Sequence, residues 1–553
     1  MVFYRKIMPA RLLAAVMTAF IILFVLMLGW PGQAQAHAQL ERSVPEANTR
    51  VDAAPAAVEL YFNEAIEAKA GALSVRDSSS KKVTGAEPKT GEDRRSLTLA
   101  MPSLGEGVYT VSYAVISADG HPVNGSFVFV VGNPQGALDA SSFDPHNGLD
   151  HSGHEGHEYP TQLSGQQFFT YVLRIIYYLA VLLAAGFMLW EALHRGGEAM
   201  AALRRRWELP VVRALFIAVL LYIFIHAAEI LRGYEGSDYF QLFTGTSIGR
   251  VWIALFVLSA AGFAILKLGR TLRTVWALLL LGVESWSGHA AVFKPAAATV
   301  ILDFIHLAAS AVWVGGLALL LAFWLADRKE AGRFAPVFSR MALLSILLLI
   351  ASGTAMTLLF MPGLNYLFYT AWGKLLIAKT ALVVLVVIIG ALLRLRVRRG
   401  ELPNFTLLRI DIALMLLIMI IVGIFTYVTP LPANANVYYH KMGAEMHLTL
   451  RITPNKPASD NKFRVNVWLP EQQGEPKSIV LRLKSLDRED VVAINVPLVP
   501  FKDNEIMAFE GYTRSDYVAE GPYIPFAGRW KAEVRVLDKD DNEKVERYEF
   551  RNY

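Results

Sequence analysis

The chain has 553 residues, 54% of them hydrophobic and 18% charged, so it is too long for one ordinary domain and too apolar to be wholly soluble. Its net charge of +5 is small for that length, and the basic residues fall in short clusters between apolar runs, which gives nucleic-acid binding no support. The absence of cysteine excludes disulfides, thiolate metal sites and cysteine nucleophiles together, leaving His, Met, Asp, Glu and backbone amines as ligands.

Arg5, Lys6 and Arg11 precede a long apolar run that closes on Ala34-Gln35-Ala36, the three parts of a secretory signal, expected over 1–36. An uncleaved anchor helix is the other reading of the same run. Cleavage after Ala36 leaves His37 first, with an amine and an imidazole on one residue. From 37 to 133 the segments "AVELYFN", "RSLTLA", "GVYTVSYAVIS" and "GSFVFVV" are short, β-branched or aromatic and separated by turn residues, which predicts a small all-β sandwich or barrel. Within it "SADGHPVNGSFVF" puts Asp119 and His121 on one face of an extended segment, because side chains alternate with period two. Added to the two donors of His37, these make three nitrogens and one oxygen, a set suited to tetragonal Cu(II). Binding should weaken in acid, since the ligands must lose protons.

Residues 134–166 lack apolar periodicity and read as a linker whose His146, His151, His154 and His157 are either an auxiliary metal-collecting tract or part of a solvated spacer. A membrane domain is expected over 167–430, with eight apolar runs near 167–192, 210–231, 251–267, 274–290, 298–325, 337–360, 371–393 and 406–428. Basic residues crowd alternate loops: Arg195 and Arg204 to Arg206; Lys267, Arg270 and Arg273; Arg328, Lys329, Arg333 and Arg340; Arg394, Arg396, Arg398 and Arg399. Those loops are expected on the cytoplasmic side, which leaves both ends of the mature chain outside. From 437 to 553, "EMHLTLRI", "FRVNVWL", "SIVLRL" and "GRWKAEVRVL" predict a second external all-β, sandwich-like domain.

Given that topology, His226, His289 and His306 share one depth in the outer part of the bundle. Each has an acid nearby: Glu229 and Asp303 stand three residues from His226 and His306, and Glu284 about one turn deeper than His289. Ionisable groups are costly in lipid, so the set reads as an outer-leaflet metal entry site, with interhelical hydrogen bonding as the alternative. Met356 and Met361 add thioethers that favour Cu(I), or simply pack. Lys374 and Lys379 pair with the acids or snorkel. In the tail, "HKMGAEMH" brings His440, Met442, Met446 and His447 together as a third copper contact or as a plain strand edge.

These residues carry a family resemblance. "HAQLERSVPEANTRVDAAPAAVELYFNEAIE" and "LGEGVYTVSYAVISADGHPVNGSFVFVVG" resemble the CopC copper-binding fold, which implies Cu(II) ligation by His37, Asp119 and His121; where some members have a Met-rich Cu(I) site, this segment holds only Met101. "DFIHLAASAVWVGGL" and "YTAWGKLLIAKTALVVLVVIIGALLRLR" resemble CopD, and the tail is similar to YtkA-like or FixH-like domains. The whole arrangement resembles fused CopC–CopD proteins of the YcnJ-like copper uptake type. The resemblance implies a multi-pass protein of the cell membrane that captures Cu(II) outside and passes copper, in part as Cu(I), through the bilayer. Its expected partners are the copper ion, lipid and other extracellular copper-binding proteins. No enzyme activity is expected, because G-x-S-x-G, P-loop and H-E-x-x-H motifs are missing. Two other functions fit the same residues: a haem-binding membrane oxidoreductase or cupric reductase, and copper sequestration without transport.

Overall fold

The computed structural model describes residues 38–132 apart from 39, 48, 69–71, 80 and 118–121; residues 165–428 apart from 231–235, 294 and 362; and residues 430–553 apart from 431–433, 435, 489, 503–508 and 510. The expected signal segment, His37, Asp119, His121 and the linker histidines lie outside the described residues.

The first β domain is a two-sheet sandwich. Strands β1 (Leu40–Val44), β3 (Ala57–Phe62), β7 (Ser96–Ala100) and β6 (Lys89–Thr90) form one sheet in that order. The other holds β2 (Thr49–Val51), β9 (Pro122–Val131), β8 (Gly107–Ser117) and β4 (Ile66–Glu67), with β5 (Leu73–Arg76) also paired to β8. Alternation supplies the core: Val58, Leu60 and Phe62 of β3 face Val111 and Phe129 of the second sheet.

The helical part runs α1 (Gly165–Leu193), α2 (Glu198–Ile230), α3 (Gly236–Gly245), α4 (Ser247–Ile265), α5 (Arg270–Ser285), α6 (His289–Val292), α7 (Ala296–Ala326), α8 (Arg328–Phe360), α9 (Tyr366–Tyr369), α10 (Ala371–Arg398) and α11 (Phe405–Phe425). Among the described residues seven helices are long and apolar enough to cross a membrane: α1, α2, α4, α7, α8, α10 and α11. This differs from the eight expected. The fourth apolar run forms α5, which has only 16 residues because Gly288 at φ +67° and the hydroxyls of Ser285 and Ser287, hydrogen-bonded to backbone carbonyls of the last turn, end it early. His289 consequently opens the separate short helix α6 rather than closing the fourth span.

Helix α1 is central, packing against α2, α5, α7 and α11. Its closest neighbour is α7, where a Cβ on Gly186 would fall 2.2 Å from the Ala311 carbonyl oxygen and one on Gly315 would fall 2.7 Å from the Gly186 Cα. Small residues let these two backbones touch, a mode of packing suited to lipid, which offers no hydrophobic drive between helices.

The second β domain is also a sandwich. One sheet has the order β10 (Val437–Lys441), β11 (His447–Thr453), β12 (Asn461–Pro470), β16 (Tyr512–Gly521), β15 (Val499–Pro500); the other is β14 (Ile494–Val496), β13 (Ser478–Ser485), β17 (Gly528–Leu537), β18 (Glu543–Asn552). Leu448, Leu450 and Ile452 of β11 meet Trp530, Ala532 and Val534 of β17 in its core.

Both β domains sit at the end of the bundle where α2 finishes and α4 begins. Ile116 of β8 is buried among the bundle's apolar residues instead of its own domain's core. Glu67, its partner in the β4–β8 register, accepts hydrogen bonds from the Ser247 amide at 3.0 Å and hydroxyl at 2.6 Å, placing a carboxylate at the N-terminus of α4. The β domains also touch each other: Glu46 pairs with Arg464 and, at 3.8 Å, with Lys462, while Glu41 stands 3.5 Å from Lys456.

Candidate functional site

Near the β-domain end of the bundle, buried polar side chains gather in two groups. In the first, Arg174, Tyr177 and Tyr178 share one face of α1, spaced three and four residues apart, and Tyr222 and His226 share one face of α2. Arg174 donates to Nε2 of His226 at 3.1 Å and to the Thr426 carbonyl at 2.9 Å, and its guanidinium lies 5.8 Å from the Tyr222 ring centroid and 5.3 Å from that of Tyr427. Arginine only donates, so His226 Nε2 is the acceptor and its Nδ1–H donates to the Tyr222 carbonyl at 2.8 Å. Both ring nitrogens are thereby engaged. The Tyr177 hydroxyl donates to Glu284 of α5, and Glu284 interacts electrostatically with Arg174.

The second group lies where α7, α8 and α10 face one another. His306 meets Ser352 Oγ through Nδ1 at 2.9 Å, and Ser352 in turn donates to the Leu348 carbonyl at 2.7 Å, so Nδ1 carries the proton and Nε2 the lone pair. Among the described residues nothing bonds that Nε2. Gly353 lies against the ring, where a Cβ would sit in ordinary contact at 3.4 Å from the imidazole Cε1. Asp303, one turn before His306, interacts electrostatically with Lys379 of α10 and with Glu284, which links the groups.

The expected residues are therefore divided. His226 is held in an Arg174 hydrogen-bond node, His306 presents a free nitrogen beside Asp303 and Lys379, and the His289 side chain lies outside the described residues. Among the described residues no group of three or more His, Asp and Glu converges closely enough to hold a metal ion. Met361 is buried with Phe360, Trp372 and Val428, and Met356 packs against that cluster at the end of α8.

Several polar residues escape a reading of periodicity. Arg174, Tyr177 and Tyr222 form the centre of the first group, and a lone arginine within the apolar "TYVLRIIYYLAV" was the available signal. At the opposite end Arg204 and Arg273 bridge Glu191 and Glu208 in four ion pairs of 3.0–3.3 Å, joining α1, α2 and α5. Beside them an open cavity of about 500 Å³ is lined by His194, Arg195, Met200 and Arg333. Asp411 of α11 is buried, and among the described residues its Oδ1 has no hydrogen-bond partner.

Comparison with known proteins agrees with this layout. Residues 40–132 match the family model described as CopC domain, and residues 332–428 match that described as Copper resistance protein D. The chain is 25% identical to the copper transport protein CutJ of Bacillus subtilis (strain 168), over 95% of this chain and 97% of that protein. It is 35% identical to protein YobA of Escherichia coli (strain K12), over 17% of this chain and 79% of that one. The crystal structure of CopC from Methylosinus trichosporium OB3b aligns with 35% identity and a TM-score of 0.16, covering 18% of this chain and 99% of that one.

Proposed function

The chain belongs to the CopC/CopD copper-resistance family, and from that premise we propose that it is a copper uptake protein of the cell membrane. The observation that carries the reading is the junction at Ile116. Ile116 and Pro122 face each other in the β8–β9 register, so the strand ends flanking Asp119 and His121 stand against the bundle that also takes up Ile116. This contact between the first β domain and the membrane bundle supports a reading in which copper captured by the one is passed to the other.

In this reading the signal is removed after Ala36, and Cu(II) is bound by the amine and imidazole of His37 with Asp119 and His121, as the family resemblance implies. Copper then enters the bundle at His306, whose free Nε2 beside Asp303 and Lys379 is the donor best placed to accept it. His226 braces the entrance through Arg174. The β-domain end is outside, because the opposite loops hold the arginine clusters. Helix α5 completes an eighth crossing: at 1.5 Å per residue it is about 24 Å long against a hydrocarbon core of about 30 Å, and α6 adds to its reach. The chain acts as a carrier, not an enzyme, and receives copper as the free ion or from other extracellular copper-binding proteins.

The test has two arms. Cu(II) titration of the purified full-length protein is compared with a variant carrying one extra residue between Ala36 and His37; a sharp loss of affinity is expected, and equal affinity would refute the amine ligand. Cellular copper is then measured with and without the protein, and unchanged content would refute uptake.

A further inference from the structure

The tail of the chain contains a histidine for which the fold alone gives no use. His447 opens β11 and is only 6% exposed, yet among the described residues neither of its ring nitrogens has a hydrogen-bond partner. A buried imidazole normally satisfies at least one nitrogen, because leaving a polar atom dry costs on the order of 1–3 kcal/mol. The ring is nonetheless held firmly. It stacks on Phe509 with centroids 4.6 Å apart and planes within 7°, and meets Tyr512 edge-on at 4.2 Å.

The neighbouring hairpin supplies a second donor. Strands β10 and β11 pair up to Lys441–Leu448, so Met442 and His447 are the next two residues across from each other, and period-two alternation gives them one face of the sheet. Met446, one residue earlier, belongs to the opposite face and is buried in the domain core, whereas Met442 is exposed. The connecting loop is pinned from two sides: the Tyr512 hydroxyl donates to the Ala444 carbonyl at 3.1 Å, and Lys544 Nζ donates to that of Glu445 at 2.8 Å.

We infer that His447 and Met442 form a further copper site, in the second β domain, that takes Cu(I) through one imidazole nitrogen and one thioether sulfur. The donor set selects the ion. Thioether sulfur favours Cu(I), while zinc requires about four ligands and calcium or magnesium require oxygens that the site does not offer. Aromatic walls of Phe509, Tyr512 and, beneath Phe509 at 5.2 Å, Trp468 keep water away, which suits a monocation of low coordination number. Burial also holds the His447 pKa below its ordinary value, so the ring is neutral and its lone pair available near pH 7.

The site lies on the sheet face that meets the first β domain. Along β12, Trp468 is opposite His447 and Arg464 is paired with Glu46, four residues or about 13 Å away at roughly 3.3 Å per residue. Copper as the ion rests on the proposed function; the orphaned imidazole does not.

The experiment is an anaerobic Cu(I) titration of the full-length protein in detergent against bicinchoninate as competing chelator. His447→Phe keeps a flat ring between Phe509 and Tyr512 and should bind one equivalent fewer than the parent. Met442→Leu, at an exposed position, should weaken the same equivalent at least tenfold, and Met446→Leu should leave it unchanged. The site is overturned if His447→Phe retains every equivalent or if Met442→Leu binds as tightly as the parent; should His447→Phe fail to fold, the Met442→Leu result decides. Unchanged cellular copper with this equivalent present would refute uptake and leave the site standing.

Discussion

Replacing each bundle histidine by leucine separates a brace from a carrier. His226→Leu removes a hydrogen bond from a charged guanidinium, worth about 1.5–3 kcal/mol in general, and one to a carbonyl worth about 0.5–1.5 kcal/mol. Side-chain bonds measured within membranes are smaller, near 0.6 kcal/mol on average and up to about 1.7 kcal/mol, so the expected loss is on the order of 2–3 kcal/mol. At roughly 2–4 °C per kcal/mol for a domain of this size, the melting temperature in detergent should fall by about 4–12 °C. His306→Leu gives up a single bond to Ser352, which keeps its own contact with the Leu348 carbonyl, so its loss should stay near 1 kcal/mol or about 2–4 °C. Copper accumulation in cells at 25 °C should show the reverse order: abolished by His306→Leu and retained by His226→Leu in proportion to the folded protein. Normal uptake with His306→Leu, or lost uptake with His226→Leu at an unchanged melting temperature, would refute the division of labour.

Gly186→Val should cost about 1–3 kcal/mol or more, read by thermal unfolding in detergent, because its Cβ would overlap the backbone of α7; an unchanged melting temperature would show that the helices separate freely. Burial lowers the His447 pKa, so below about pH 6.5 the unfolded chain takes up a proton that the folded domain resists. Stability of the second β domain should therefore fall as pH drops from 7.5 to 5.5, with a smaller fall for His447→Phe in the same melting assay. The cysteine-free chain suits topology mapping. A thiol placed at Gly197 or at Gly105, both with open space for a Cβ, should react with a membrane-impermeant maleimide in intact cells only at 105.

The domain order was legible because strands of period two and apolar runs of about 20 residues differ so plainly in composition. Helix limits were less so. The structure extends α2 back to Glu198 and α8 back to Arg328, through charged turns that hydropathy assigns to loops, and it stops α5 at Ser285 where the apolar run continued to 290. The histidines at one depth were visible, but their partners were not: Arg174 reaches His226 across 52 positions, and periodicity says nothing about which helices meet. Nor could the sequence show that Ile116 joins the bundle, since a strand's pattern cannot tell a domain core from a neighbour's surface. The parity of Met446 and His447, by contrast, was open to alternation alone, which separates them onto opposite faces of β11.

Under the proposed uptake, the docking of Glu67 on the first turn of α4 would turn delivery of the captured ion into an event within one molecule. A donor tethered this way meets its acceptor at an effective concentration on the order of millimolar, whatever the abundance of the protein. Dilution of the cells' surroundings would then slow capture without slowing the transfer that follows it.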